Sequence, residues 1–511
     1  MKIYDSNQMR NAERLAAEGG ISYTRLMENA GSACAKEIRE RIRPPFKEQE
    51  IVIVCGKGNN GGDGFVVARK LFEYGFFPKV VLAFGRPSAE DARIMLEMLS
   101  GLPLKVLDYK LETDAAEKMI SDADVLVDAV FGIGYSARAD EALERLLNVM
   151  SSVKGLKIAI DIPSGIESDC KSEPTSCFRS DITLAVSALK PCHVLQPFSQ
   201  FCGETVVVQI GVEDVFYKDA PFFAHTYTKE EKKGLLPPRN PVSNKGDYGR
   251  VLSICGSKSY VGAAYLAAMG AVRSGAGLVF AAFPDCAYPA LGAKLTETPL
   301  LPLPSTTQGT FADAAVPTLL EELKKCDAVI LGCGLGQGGG VTSVTESVVR
   351  NADCPIILDA DGINAVSQNI NILKEAHAPL ILTPHPGEMA RMTGLSVPEI
   401  MADRFKIAKA FAEFYGVILV LKGANTIVAE NGCEHIFINS SGNAGMAKGG
   451  SGDLLAGIIA GLAAQGIKSF VRAAVYIHGL CGDKAASKLS QAGMTPSDCL
   501  EILPEVLSEF E

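Results

Sequence analysis

Short apolar runs alternate with helical patterns along the first half of the chain. Five runs are rich in β-branched residues, and each has about the length of one buried strand. They are IVIVC at 51–55, KVVLAF at 79–84, DVLVDAV at 124–130, KIAID at 157–161 and ITLAV at 182–186. Strands of this kind separated by helices are typical of a parallel sheet covered by helices. The pattern therefore predicts a three-layer αβα unit.

A second block of strand-like runs begins with RVLSICG at 250–256. It continues through GLVFAAF, AVILGCG, PIILDADG, PLILTPHPGE and VILVLKG and ends in helical segments. The polar stretch between the blocks, 211–245, has no clean periodicity and is interrupted by Pro221, Pro237, Pro238 and Pro241. A chain of 511 residues also exceeds the usual size of one hydrophobic core. We therefore predict two α/β domains, residues 1–225 and 226–511.

Composition and charge exclude several classes of function. Hydrophobic residues make up 47% and charged residues 21% of the chain, which is ordinary for a globular protein. The net charge is −10 and basic residues form no long run, which excludes nucleic acid as a partner. The N-terminus lacks the apolar core of a signal peptide, and no membrane-spanning apolar stretch follows it. We expect a cytoplasmic protein that binds no membrane and whose 14 cysteines, which form no C-x-x-C pair, are reduced.

A glycine-rich loop follows the first predicted strand. Residues 56–64 read GKGNNGGDG and precede an apolar helical pattern, an arrangement that favours phosphate binding at a helix start. The spacing fits neither the G-x-G-x-x-G fingerprint nor a Walker A loop. Asn60, Asp128 and Ser164 offer oxygen atoms from three strand ends, which suits a hard cation, and the single carboxylate favours a monovalent one. Each residue alone is better explained as a turn former or a loop cap.

The motifs GNNGGDG, DAVFGIG, DIPSG and LKP at 189–191 resemble, in order and spacing, the NAD(P)H-hydrate epimerase family, whose fold is Rossmann-like. The resemblance spans residues 1 to about 215 and departs from the family at Lys171 and Cys192, where glycine is usual. It implies that Asp161 is catalytic and that Asn60, Asp128 and Ser164 hold potassium. It also implies that the hydrated nicotinamide nucleotide contacts Asp161 and two segments, namely Asn59, Asn60, Gly61, Gly62 and Asp63, and Gly132, Ile133, Gly134, Tyr135, Ser136, Ala137 and Arg138.

The most informative pattern of the second half lies at residues 443–453, which read NAGMAKGGSGD and precede an apolar helical segment. Free amides and the dipole at a helix start suit phosphate, so this loop predicts an anion site beside the carboxylate of Asp453. Glycine-rich or polar segments also follow strands at 331–339, 358–364, 383–388 and 421–428, which predicts one crevice. His385 is either a helix cap or a substrate contact. Lys422 ends a buried strand, where a lysine marks a site or extends towards solvent.

The segments GDYGRVLSICGS, VGAAYLAAMGAVRSGAGLV, HPGE and KGGSGD resemble the ADP- or ATP-dependent NAD(P)H-hydrate dehydratase family, which has a ribokinase-like fold, over about residues 228 to 505. The resemblance implies that Asp453 is the catalytic base and that the substrate contacts Ala263, Gly334, His385 and Asp453. Lys448 stands where the family often has threonine, and Cys333 where proline is common. ADP, accompanied by Mg²⁺, is expected on two segments, namely Lys422, Gly423, Ala424, Asn425 and Thr426, and Asn443, Ala444, Gly445, Met446, Ala447, Lys448, Gly449, Gly450, Ser451 and Gly452.

Together the two resemblances imply repair of NADH and NADPH that have gained water at nicotinamide carbon 6. The second half would remove the hydroxyl from the S epimer at the expense of ADP, and the first half would interconvert the R and S epimers. One alternative is a ribokinase-like small-molecule kinase with a fused regulatory domain, and another is a binding scaffold without catalysis. The expected partners are the hydrates of NADH and NADPH and the nucleotide ADP, and we expect a homo-oligomer.

Overall fold

The computed structural model describes residues 1–42, 49–136, 140–172, 174–211, 223–227, 231 and 234–510. Within it the chain divides into two compact units, Met1–Ala224 and His225–Glu511. Each unit is built around its own mainly parallel sheet, with apolar residues buried on both faces of that sheet.

The first unit contains one parallel sheet. Its seven strands lie in the order β4-β3-β2-β5-β6-β7-β8, and every pair of neighbours is parallel. All five runs predicted as strands in this half form strands. The strands of the unit are β1 (Lys2–Ile3), β2 (Ile51–Cys55), β3 (Lys79–Leu82), β4 (Val106–Asp108), β5 (Val125–Ala129), β6 (Leu156–Ile160), β7 (Ile182–Val186) and β8 (Glu204–Val208).

Helices cover both faces of this sheet. Ile51, Ile53 and Cys55 of β2 belong to one apolar cluster, whereas Val52 and Val54 belong to another, because successive strand residues point to opposite faces. The result is the three-layer αβα arrangement of a Rossmann-like unit, which confirms the predicted fold class. The helices are Ser6–Glu18, Tyr23–Arg41, Asn59–Glu73, Glu90–Leu99, Thr113–Ser121, Glu141–Ser152 and the short Pro191–Val194, followed by the 3-10 turn Phe198–Phe201.

The second unit is also an α/β unit built around one mainly parallel sheet. Its strands run in the order β18-β17-β16-β15-β14-β13-β10-β11-β12. The pairs from β12 to β16 are parallel, and β17 and β18 add an antiparallel edge. The strands are β9 (Ala224–His225), β10 (Arg250–Ile254), β11 (Leu278–Pro284), β12 (Leu300–Leu303), β13 (Ala328–Leu331), β14 (Ile356–Leu358), β15 (Leu380–Leu382), β16 (Ile418–Leu421), β17 (Ile427–Glu430) and β18 (Ile436–Ile438).

Two helices of this unit, Ser451–Ala464 and Val261–Arg273, lie against each other at backbone contact. A methyl group at Gly457 would stand 2.3 Å from the carbonyl oxygen of Ala267, so only glycine fits. The contact fixes the start of Ser451–Ala464, which carries Asp453. The remaining helices are Tyr288–Gly292, Val316–Leu323, Gly339–Asn351, Ala360–Ser367, Pro386–Thr393, Val397–Ala402, Arg404–Tyr415, Phe470–Leu489 and Pro496–Leu507, with 3-10 turns at Lys245–Tyr248, Asp285–Ala287, Asp313–Ala315, Ile370–Glu375 and Ala444–Met446.

In the part of the chain that the structure describes, no helix combines the length and the apolar character needed to cross a bilayer.

Candidate active sites

A cavity of about 560 Å³ lies at the carboxyl ends of the strands in the first unit. Parallel sheets bind ligands at this edge, because loops and helix starts meet there. The walls come from the loops after β2, β3, β5 and β6, from the end of β7 and from the N-terminal helix. Its lining residues are Met9, Arg10, Glu13, Lys57, Gly58, Asn59, Asn60, Asp63, Phe84, Val130, Phe131, Gly132, Ile133, Gly134, Tyr135, Asp161, Val186 and Lys190.

Asp128, Ser164 and Asn60 meet beside this cavity. The hydroxyl of Ser164 donates to Oδ1 of Asp128 at 2.7 Å, and its amide donates to Oδ2 at 2.7 Å. Burial raises the pKa of Asp128 to about 6, although these hydrogen bonds oppose the rise. Nδ2 of Asn60 donates to the carbonyls of Phe131 and Ile160, while its Oδ1 is buried and has no hydrogen-bond partner among the described residues. An unpaired buried oxygen beside a carboxylate fits a cation.

Asp161 follows β6 and is held by a buried lysine. Nζ of Lys190 donates to Oδ1 of Asp161 at 2.6 Å and to the carbonyl of Val186 at 2.6 Å. The backbone of Asp161 has a φ of 64°, in the left-handed region that residues other than glycine rarely adopt. Such strain often accompanies a functional position. The lysine ammonium balances the negative charge of the carboxylate and fixes its position at the cavity wall.

His193 supports this pair from behind. Its Nδ1 accepts a hydrogen bond from the amide of Lys190 at 3.0 Å, so Nε2 carries the proton and donates to the carbonyl of Asp161 at 2.7 Å. Burial and the charge of Lys190 lower the pKa of His193 to about 4. The histidine is therefore neutral and fixes backbone rather than transferring protons.

Two further carboxyl groups face the same cavity. Burial raises the pKa of Glu13, and the charge of Asp161 adds to the rise, while Lys190 and Arg10 oppose it. Burial raises the pKa of Asp63 well above its usual range, with Asp161 and Glu13 adding to it. The sequence motifs indicated Asp63 but gave no role to Glu13, because Glu13 lies on an ordinary amphipathic helix far away in sequence.

Some of the other predicted substrate contacts of this unit line the cavity, and others lie outside its wall. Asn59 begins the helix Asn59–Glu73, and Gly61 and Gly62 lie buried in its first turn. Gly132, Ile133, Gly134 and Tyr135 line the cavity, where the ring of Tyr135 stacks 4.7 Å from that of Phe131. Ser136 follows them and is exposed. Ala137 and Arg138 lie outside the described residues.

In the second unit, Lys422 lies between two carboxylates. Its Nζ stands 2.7 Å from Oδ1 of Asp359 and 3.8 Å from Oε2 of Glu388. Burial alone would lower the pKa of Lys422, but the two carboxylates outweigh it and raise the pKa. Neither acidic residue was predicted as a site residue, although both stand in motifs that the sequence indicated, LDADGIN and TPHPGE. Lys422 therefore remains a fixed positive charge at the sheet edge.

Asp453 lies close to this group, in the first turn of Ser451–Ala464. Ligand atoms of Asp453, Asp359 and Cys333 lie within 4.8 Å of one another. Burial raises the pKa of Asp453 to about 6 and the charge of Asp359 adds to the rise, while a hydrogen bond from Cys333 and the charge of Lys422 oppose it. The predicted effect of the helix dipole, which favours the anion, is thus outweighed by desolvation. A carboxylate with a pKa near 6 is an effective base at neutral pH.

The glycine loop wraps around the same place. Gly450, with a φ of 102°, turns the chain into the helix, and a side chain at Gly452 would approach Nζ of Lys422 to 3.2 Å. Asn443 starts the turn Ala444–Met446 by accepting from the amide of Gly445 at 2.9 Å. Ala447, Gly449 and Ser451 complete the loop. The hydroxyl of Ser451 donates to the carbonyl of Met446.

Lys448 points its ammonium at protein rather than at the loop's anion site. Nζ donates to the carbonyls of Ala492 and Met494 at 2.7 and 2.5 Å. The role of Lys448 in nucleotide binding stays a prediction. Its ammonium group is hydrogen bonded to two backbone carbonyls.

The segment after β16 continues the same edge. Gly423, Ala424, Asn425 and Thr426 follow Lys422 in a turn, in which Thr426 donates to the carbonyl of Gly423 at 3.2 Å. Asn425 has a φ of 57° and donates from Nδ2 to the carbonyl of Asn439. These contacts place the turn beside the end of β18.

His385 caps a helix. Its Nδ1 accepts from the amide of Gly387 at 2.9 Å, while Oε2 of Glu388 accepts from the amide of His385 at 2.7 Å. The cap that the sequence offered as an alternative is therefore present, and Nε2 of the half-exposed ring lies 3.5 Å from Oε1 of Glu388. Gly334 packs directly on Tyr260 and Ala263, so two of the predicted substrate contacts, Gly334 and Ala263, lie together.

Comparison with known proteins gives two family matches. Residues 251–505 match the NAD(P)H-hydrate dehydratase family, and residues 23–192 match the family described as YjeF-related protein N-terminus.

Relatives match over the whole chain. A bifunctional NAD(P)H-hydrate repair enzyme from Moorella thermoacetica is 37% identical over 518 residues, which cover 100% of this chain and 97% of that protein. A protein of the same description from Thermofilum pendens is 35% identical over 517 residues, covering 99% and 96%. A solved structure of an ADP/ATP-dependent NAD(P)H-hydrate dehydratase from Bacillus subtilis, co-crystallised with ATP and Mg²⁺, is 32% identical, covers 56% of this chain and 99% of its own, and has a TM-score of 0.49.

Proposed function

The chain belongs to the family of bifunctional NAD(P)H-hydrate repair enzymes, and from this premise we propose the division of labour between its two units. The first unit interconverts the R and S epimers of hydrated NADH and NADPH. The second unit converts the S epimer back to the reduced cofactor while ADP becomes AMP and phosphate. The observation that carries the second assignment is the position of Asp453, which lies behind a glycine loop and beside Lys422 and Asp359.

The dehydration needs a better leaving group than hydroxide. Asp453 accepts the proton of the carbon 6 hydroxyl, whose oxygen then attacks the terminal phosphorus of ADP, and AMP departs. The carbon–oxygen bond of the phosphate ester breaks next, phosphate leaves, and loss of the proton from carbon 5 restores the double bond. Amides of the loop from Asn443 to Gly452 and the charge of Lys422 stabilise the transferred phosphoryl group.

Magnesium and ADP belong to the second site. Mg²⁺ binds nucleotides mainly through phosphate oxygens, so it needs no cage of protein ligands. We assign ADP to the segments Lys422–Thr426 and Asn443–Gly452, and the hydrated nucleotide to Ala263, Gly334, His385 and Asp453.

In the first unit the residues present fit a potassium ion. Among the described residues Asn60 has a buried oxygen without a partner, and Asn60 and Ser164, which donates to Asp128, both hydrogen bond to the backbone of Phe131. A monovalent cation held there would supply positive charge next to the loop that receives the nucleotide. We assign the acid–base chemistry on carbon 6 to Asp161, and we assign substrate contacts to the segments Asn59–Asp63 and Gly132–Arg138.

One experiment tests both assignments on the full-length protein. A mixture of R and S hydrated NADH is incubated with ADP or with ATP, and recovery of NADH absorbance is followed together with AMP and phosphate. The wild type should restore the whole pool, Asp161→Asn only the S portion, and Asp453→Ala none. A stable phosphorylated product without recovered NADH would instead indicate the kinase alternative.

A further inference from the structure

Glu13 reaches the cavity of the first unit from an element that the sequence motifs did not indicate. It lies on the helix Ser6–Glu18 together with Met9 and Arg10, which line the same cavity. The helix is fixed at its start, because the amide and hydroxyl of Ser6 donate to Asp169 at 2.8 and 2.7 Å. The amide of Tyr4 also donates to the carbonyl of Leu189, the residue before Lys190. The helix that places Glu13 in the cavity wall is thus anchored at its start.

The chemistry of epimerisation requires two groups that handle protons. Carbon 6 of the hydrate is bonded to a hydroxyl and to ring nitrogen 1. Inversion at carbon 6 can pass through a cation. An acid protonates the hydroxyl, which departs as water, while the lone pair of nitrogen 1 forms a double bond to carbon 6. Water then attacks the opposite face and gives its proton to a base. No atoms are gained or lost overall.

Resting on the proposed epimerase function, we propose that Glu13 is the catalytic acid that protonates the departing hydroxyl, opposite Asp161 as the base. The two carboxyl groups lie on different elements of one cavity, and their surroundings differ. Asp161 is paired with the ammonium of Lys190 at 2.6 Å, so its negative charge has a direct counterion. Glu13 is partly buried and has no such direct ion pair among the described contacts, which favours its protonated form. Environments that separate two carboxyl groups in this way assign the acid and the base.

Asp63 fits this role less well than Glu13. Burial raises the pKa of Asp63 well above its usual range, which favours a neutral carboxyl group that can donate a hydrogen bond to the substrate. Burial also raises the pKa of Glu13, which favours the protonated form that a catalytic acid requires. The charged or titratable groups that face Glu13 across the cavity are Arg10, Lys57, Asp63, Tyr135, Asp161 and Lys190.

The test uses full-length protein, purified R epimer of hydrated NADH and no ADP, so that only epimerisation is observed by chromatography. Glu13→Gln should lower the turnover number about 100-fold with little change in KM, because a general acid contributes at least that much. The wild-type rate should fall on the alkaline side as Glu13 loses its proton, and Glu13→Gln should remove this limb. Glu13→Asp should keep the limb and part of the rate.

Controls separate the possible failures. Glu18→Gln changes an exposed carboxylate on the same helix and should leave the rate unchanged. Thermal unfolding and ADP-driven dehydration of S substrate verify that each variant is folded. A Glu13→Gln rate within threefold of the wild type, or a lower rate with the alkaline limb retained, would overturn the assignment of Glu13. If the wild type itself does not interconvert the epimers, the proposed function of the unit fails instead.

Discussion

The ammonium of Lys190 lies 2.6 Å from the carboxylate of Asp161, and both side chains are almost entirely buried. The two residues follow neighbouring parallel strands, β7 and β6, so the sheet itself brings them together. Removing one partner of a buried ion pair leaves the other charge without compensation. The pair therefore links the stability of the first unit to its chemistry.

We expect Lys190→Met to destabilise the first unit by about 3 kcal/mol and to abolish epimerisation, because the anion of Asp161 loses its counterion. Denaturant unfolding and the chromatographic assay measure the two effects. Lys157→Met is the matched control, since its ion pair with Asp181 is partly exposed, and it should cost less than about 1 kcal/mol. Equal costs for the two variants would contradict this prediction.

Potassium should control one activity and not the other. Replacing K⁺ by tetramethylammonium should slow epimerisation at least about tenfold, because the oxygen of Asn60 and the carboxylate of Asp128 lose their cation, and a lost charge-assisted contact costs about 1.4 kcal/mol or more. Dehydration of purified S substrate in the same buffers serves as the internal control. An equal loss of both activities would point to a general salt effect.

Dehydration should decline in acid with the titration of Asp453. Since burial raises the pKa of this base to about 6, turnover at saturating ADP should be constant above pH of about 7 and fall about tenfold per unit well below pH 6. Initial rates on purified S substrate measure this profile. The charge of Asp361 contributes to the raised pKa, so Asp361→Asn should move the acidic limb to lower pH. A limb that does not move would speak against Asp453 as the titrating group.

The same raised pKa predicts a cost in stability. The neutral form of Asp453 is favoured in the folded protein, so its stabilising effect is present below pH 3.8 and is lost as the pH rises through about 6. Asp453→Asn should therefore be more stable than the wild type at pH 7.5, by about 2 kcal/mol, and the difference should shrink at pH 4. Thermal unfolding without nucleotide measures both conditions. The same difference at both pH values would exclude this cause.

Asp483 should influence ADP binding through the glycine loop. Its carboxylate accepts from the amide of Gly442 at 2.8 Å and from Nδ2 of Asn443 at 3.0 Å, which fixes the start of the loop. Two hydrogen bonds of about 0.7 kcal/mol each correspond to a tenfold rise in the KM for ADP in Asp483→Ala, with the KM for the hydrate unchanged. Lys484→Ala, which changes a neighbour paired with Glu505 and Glu509, is the control. A similar rise in the control would attribute the effect to the helix as a whole.

Strands with continuous apolar runs could be predicted from the sequence, because burial on both faces requires such runs. IVIVC forms β2 over its full length, whereas β4 was missed since it has only three residues and includes the exposed Val106 and a terminal aspartate. The antiparallel edge strands β17 and β18 were missed for a related reason. They are short, and the loop motif before β17 indicates a binding site and gives no sign of strand pairing.

Candidate site residues could be predicted where they directly follow a strand. Asp161 and Lys422 directly follow strands and Asp128 lies at the end of β5, and parallel strands bring such ends to one edge of a sheet. Glu13 could not be predicted, since its helix is joined to the cavity only by tertiary contacts such as Ser6 with Asp169. The sequence also does not show where a long side chain points. The ammonium of Lys448, for example, donates to two backbone carbonyls and does not point at the predicted anion site.

The backbone contact at Gly457 places a further demand on the second unit. Asp453, the proposed base, lies about one turn before this glycine, so its helix is held at its middle against a neighbour that leaves no room for a methyl group. A change there would tilt the catalytic end of the helix without touching any ligand. The position of Asp453 thus depends on a packing contact between two helices as much as on the loop that precedes it.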